Sequence, residues 1–229
     1  MTQREKIVDR VSQMIKAVGV KSVRMDDVAS DLGMSKRTLY EMFGDKEELL
    51  SESILYMMEQ RQKDICEKVA GCDNMVEVLL KSIRLLGGNG EVREVERRLV
   101  FNLKKFYPNV YEKVQRAHAE CGLKGLQFAL QKCLEQGYID PNIDVELMAR
   151  LFLATSGMLI SDSSVVVPEE VTNEEAFGAM VVNFLRGLST VKGLQLIDEI
   201  LSREPRPLKL SERREMKNTA KLWLLQKLQ

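Results

Sequence analysis

Lys36, Arg37, Thr38 and Tyr40 fall within five consecutive positions, with Ser35 just before them and Lys46 opening the next helical stretch. Cations and hydroxyls in such a row suit one kind of chemistry, the donation of charge and hydrogen bonds to acceptor-rich partners. An arginine can fork onto the two acceptors of guanine, and a lysine can serve either a base or a phosphate. Thr38, Tyr40 and Lys46 are suited to holding a phosphate backbone. A short amphipathic helix with a solvated face would also gather polar residues, so the surrounding residues have to decide.

Those residues fit a single frame. Counting from Met25, Ala29 falls where two helices must approach closely and Gly33 falls in the turn. Val28, Leu32, Met34, Leu39 and Met42 supply an inward face. This is the spacing of a helix-turn-helix. A side chain larger than alanine at 29 would push the helices apart, and a β-carbon at 33 would resist the positive φ of the turn. Ser35 is placed to cap the second helix through its hydroxyl. With Leu39 and Phe43 turned inward, Lys36, Arg37, Thr38 and Tyr40 are left on an exposed surface that could meet duplex DNA.

The stretch from Asp26 to Leu50, centred on LGMSKRTLYEMFGDKEELL, resembles the N-terminal domain of the TetR family of transcriptional regulators. The resemblance implies a homodimer whose recognition helices enter successive major grooves. It gives a DNA-binding set of Arg24, Ser35, Lys36, Arg37, Thr38, Tyr40 and Lys46. Arg24 departs from the family, which usually has Ser or Thr there to cap the helix and touch a phosphate. Arginine cannot accept the amide hydrogen bonds, so Asp26 and Asp27 are left to oppose the positive helix end, and Arg24 is kept as a backbone contact.

Equal numbers of basic and acidic residues, 34 of each, give zero formal charge, so attraction to nucleic acid has to be local. A single histidine and the lack of GxSxG, P-loop or strand-borne GxGxxG motifs argue against an enzyme. The four cysteines have no CxxC spacing. They read as buried small hydrophobes, with no metal site and no cofactor. The N-terminus lacks the apolar core of a signal peptide. The longest apolar run, 147–161, carries Arg150 and is too short to cross a bilayer, so a cytoplasmic location is expected.

Apolar residues recur at helical spacing almost throughout, which makes the chain all-α. A first helix carries Ile7, Val11, Met14, Ile15 and Val18 and stops at Gly19. After the helix-turn-helix, helices are expected near 45–69, 74–86, 91–106, 109–136, 144–160, 172–201 and 211–228. The expected domains are 1–46 for DNA binding, 47–202 for effector binding and dimerisation, and a basic amphipathic extension at 203–229.

The resemblance assigns dimerisation and an effector pocket to the larger part. Leu147, Leu151, Met158, Phe177, Val181, Phe184 and Leu188 could form a dimer seam or face their own core. Met57, Met58, Phe101, Phe106, His118, Phe128 and Phe152 could line a cavity for a small apolar or amphipathic effector. The function expected is a ligand-responsive regulator, a repressor released from palindromic DNA by its effector. The extension holds eight basic and three acidic residues. Packing of this tail is favoured over membrane contact, and control by a protein or membrane partner through it is the alternative function.

Overall fold

The computed structural model describes the backbone of residues 2–87, 90–161, 167–203 and 208–227. The side chains of 83–84, 86–87, 90–94, 158–161, 173–174 and 219–227 lie outside the description. Every regular element among the described residues is a helix: α1 (Gln3–Val18), α2 (Met25–Asp31), α3 (Lys36–Phe43), α4 (Lys46–Val69), α5 (Met75–Gly87), α6 (Gly90–Phe106), α7 (Pro108–Glu135), α8 (Val145–Ser161), α9 (Asn173–Leu188), α10 (Val191–Ser202) and α11 (Leu210–Lys227). The all-α reading stands. None of these helices is long and apolar enough to cross a membrane.

The residues gather into two compact units, Met1–Gly71 with Leu85–Gly125, and Cys72–Arg84 with Leu126–Gln229. In the first unit the apolar stripe of α1 (Ile7, Val8, Val11, Ile15) packs along Leu49, Leu50 and Ile54 of α4. Val28 and Ala29 of α2, Leu39 and Phe43 of α3, and Leu103, Val110 and Val114 of α6 and α7 complete the same core. The Arg4 guanidinium stands 4.3 Å over the Phe43 ring and donates to the Met42 carbonyl and to Glu52. Arg10 bonds Asp31 at 2.5 and 2.8 Å. These two arginines fasten α1 to both helices of the helix-turn-helix.

In the second unit Phe152 of α8 packs against Phe177 and Phe184 of α9, with ring centroids 6.3 and 4.8 Å apart. The single helix expected over 172–201 is two helices. Ser189 is extended and Thr190 caps α10 by accepting from the Gly193 amide at 3.2 Å. The turn after α7 holds this break open: the Thr190 amide donates to Tyr138 O at 3.0 Å and the Asp140 amide to Leu188 O at 2.9 Å. A β-carbon at Gly193 would lie 2.1 Å from the Tyr138 carbonyl, so only glycine lets the backbones approach.

The cysteines depart from expectation. Cys133 alone is buried, and burial pushes its thiol up to about 12. Cys72 is half-buried, while Cys66 and Cys121 are exposed, because α4 and α7 turn those positions away from the apolar core.

Candidate nucleic-acid interface

Two short helices and a glycine corner position the site. Val28 and Ala29 are buried on α2, and Leu39 and Phe43 are buried on α3. Between them Gly33 takes φ 61°, where a side chain would be strained even though open space surrounds it. Ser35 caps α3, its hydroxyl accepting from the Thr38 amide at 3.0 Å and lying 2.8 Å from the Thr38 hydroxyl. Asp45 caps α4 in the same way, accepting from the Glu48 amide at 2.7 Å. At the start of α2, Arg24 is exposed and makes no side-chain cap, leaving Asp26 and Asp27 in the first turn.

With its apolar side fixed inward, α3 presents Lys36, Arg37 and Tyr40 to solvent, and Thr38 is half-buried. The cations are not bare. Lys36 Nζ lies 2.9 Å from Asp26, and this hydrogen-bonded carboxylate raises the lysine pKa above its ordinary value. Arg37, whose side chain is 88% exposed, lies 2.8 Å from Glu41 one turn on. Lys46 donates to the Tyr107 hydroxyl at 2.8 Å, and its ammonium stands 5.2 Å from that ring's centroid. Residues 1–50 contain nine basic and nine acidic residues, so the cations on α3 owe their prominence to placement and not to net charge.

Glu41 was legible as an i, i+4 partner of Arg37. Asp26 reaches Lys36 across the turn, and Tyr107 is 61 residues from Lys46, so only the fold reveals these two pairings. The arrangement offers a forked donor, an ammonium, hydroxyls and a phenol on one solvent-facing surface, a set matched to the base edges and phosphates of a duplex.

The other candidate residues are dispersed. Met57 and Met58 pack against the core of the first unit, where Phe101 and Phe106 are exposed. His118, also in the first unit, is exposed on α7, and partial desolvation together with the charge of Arg61 lowers its pKa. Phe128 is exposed beside a shallow depression of about 440 Å³ that Gln131, Lys132, Val145 and Glu146 also line. Phe152 is buried. Leu147 and Leu151 are exposed on α8, whereas Phe177, Val181 and Leu188 are buried in their own unit and Phe184 is half-buried. The Met158 side chain lies outside the described residues.

Residues 7–52 match the sequence model of the bacterial regulatory proteins of the tetR family. No curated protein matches the chain. Among solved structures, a transcriptional regulator of the TetR family from Cytophaga hutchinsonii superposes with a TM-score of 0.60 at 13% identity, over 82% of this chain and 94% of that one. A protein from Rhodococcus sp. assigned to the same family gives 0.60 at 19% identity, over 82% and 98%. A protein from Saccharomonospora viridis, assigned as a transcriptional regulator and solved in complex with choline, gives 0.55 at 17% identity, over 82% and 97%. These likenesses establish the fold. Sequence match and architecture agree: residues 7–52 match the model of the tetR family, on a chain that has the fold of solved regulators assigned to that family.

Proposed function

We propose that the chain binds an inverted-repeat site in duplex DNA as a homodimer and represses transcription until a small apolar or amphipathic effector releases it. The observation that carries this reading is the exposure of Lys36, Arg37 and Tyr40 on a helix whose other side is buried through Leu39 and Phe43. Arg37 reads a guanine, Lys36 serves a base or phosphate, and Arg24, Ser35, Thr38, Tyr40 and Lys46 hold the backbone. Two copies are needed because paired half-sites lie about 34 Å apart, one helical turn. Exposed Leu147 and Leu151, with the exposed Ala154 on the same side of α8, support a seam between copies.

The fold shared with the choline-bound protein from Saccharomonospora viridis supports a small-molecule effector. Three cations of the basic extension are engaged within the second unit: Arg213 with Glu175, Arg214 with Glu170 and Lys217 with Glu169. That pairing favours a packed tail over an acidic or membrane partner. Selection from a random duplex pool by the purified chain tests the reading. An enriched inverted repeat is expected, and a pool that stays unenriched would refute sequence-specific binding.

A further inference from the structure

The contact between Lys46 and Tyr107 joins the first residue of α4 to the corner between α6 and α7, all within the first unit. The ammonium is held by its hydrogen bond to the hydroxyl at 2.8 Å, and at 5.2 Å from the ring centroid it lies beyond the hydroxyl edge of the ring. A second tie lies beside it, where the Asn109 amide donates to Glu47 at 3.4 Å. An ammonium has three donors, and one is used on Tyr107, so two remain for a phosphate without breaking the contact. A free lysine side chain loses considerable rotamer freedom when it docks. One already held against a phenol has lost part of that freedom before DNA arrives.

We propose that Tyr107, outside the helix-turn-helix, is a positioning residue that holds Lys46 ready for a backbone phosphate of duplex DNA. The inference rests on the DNA-binding reading above and goes beyond it by assigning a role to the α6–α7 corner. Because α7 leaves that corner, any event that shifts residue 107 changes the readiness of a phosphate contact.

A double-mutant cycle on the full-length chain tests this, with binding to a labelled mixed-sequence duplex followed across a salt series. Lys46→Ala is expected to weaken binding and reduce the salt slope by about one. Tyr107→Phe keeps the ring and removes one oxygen. It is expected to weaken binding about three- to tenfold with the slope unchanged, the scale of immobilising one freed long side chain on docking. The double variant should bind no worse than Lys46→Ala alone. Asn109→Ala, which removes the neighbouring tie to Glu47 and leaves the hydrogen bond between Lys46 and Tyr107 in place, should bind like the wild type. Tyr107→Phe binding like the wild type, or its loss adding in full to that of Lys46→Ala, would overturn the role of Tyr107 while DNA binding stands. Failure of the wild-type chain to bind duplex at low salt would overturn the DNA-binding reading itself.

Discussion

Arg37 combines near-complete exposure with a carboxylate one turn away, so its charge is displayed and restrained together. The proposed docking on guanine would exchange Glu41 for the base, and the two residues are therefore expected to act in opposite directions. Arg37→Ala should cost about 1–3 kcal/mol on the preferred site and flatten discrimination at one base pair. Glu41→Gln should tighten binding to every duplex by about 0.2–1 kcal/mol, the range of an exposed ion pair. Anisotropy titrations on matched and single-substituted duplexes measure both. The residues of α3 were legible because cap, glycine corner and inward leucine obey local rules within a few positions. The restraints on Lys36 and Lys46 were not, since Asp26 and Tyr107 approach only through tertiary packing.

At the scale of elements, two glycines show how different demands select the same residue. Gly33 turns a corner at φ 61° in open space, so Gly33→Ala should cost about 1–2 kcal/mol from backbone strain alone. Gly193 opens a helix, where alanine is ordinarily the better residue. Yet a β-carbon there meets the Tyr138 carbonyl at 2.1 Å, and Gly193→Ala should cost about 3 kcal/mol or more. Thermal melts of the two variants would separate strain from collision. The turn demand at 33 could be read from sequence spacing, whereas the collision at 193 depends on a partner more than fifty residues away, as does the break at Ser189–Thr190.

The docking of α11 belongs to the same scale. Hydrogen bonds from Arg213 and from the Thr172 backbone hold the Glu175 carboxyl down to about 2. A carboxyl held low in the folded state stabilises it fully above the ordinary value near 4.3. That contribution is lost as pH falls towards 2. Amide protection factors in the first turns of α11, taken relative to the intrinsic exchange rate at each pH, should therefore fall between about pH 4 and pH 2, a step that Glu175→Gln removes.

On the scale of the whole molecule, sequence punctuation marked most helix ends, because glycine, proline and capping residues act locally. Which helices gather was hidden, since residues 72–84 join 126–229 through packing that no local pattern encodes. The same limit applied to the aromatic residues, whose spacing is alike whether they are buried as Phe152 is or exposed as Phe101 is. Leu147 and Leu151 are exposed, so glutamates at both positions should leave the fold intact while removing apolar area from the proposed seam. Sedimentation of that double variant is expected to show monomers with weakened DNA binding. Dimers as stable as the wild type's would place the seam elsewhere.

The central claim is that duplex DNA lies against α3 and the helix ends beside it. Hydrogen exchange of the full-length chain, with and without saturating mixed-sequence duplex at low salt, tests this most directly. Slowed exchange is expected at the start of α2, through α3 and in the first turn of α4, with α8 to α11 unchanged. Protection confined to α8 to α11, or none at residues 35–46 under conditions where the duplex is bound, would contradict the account.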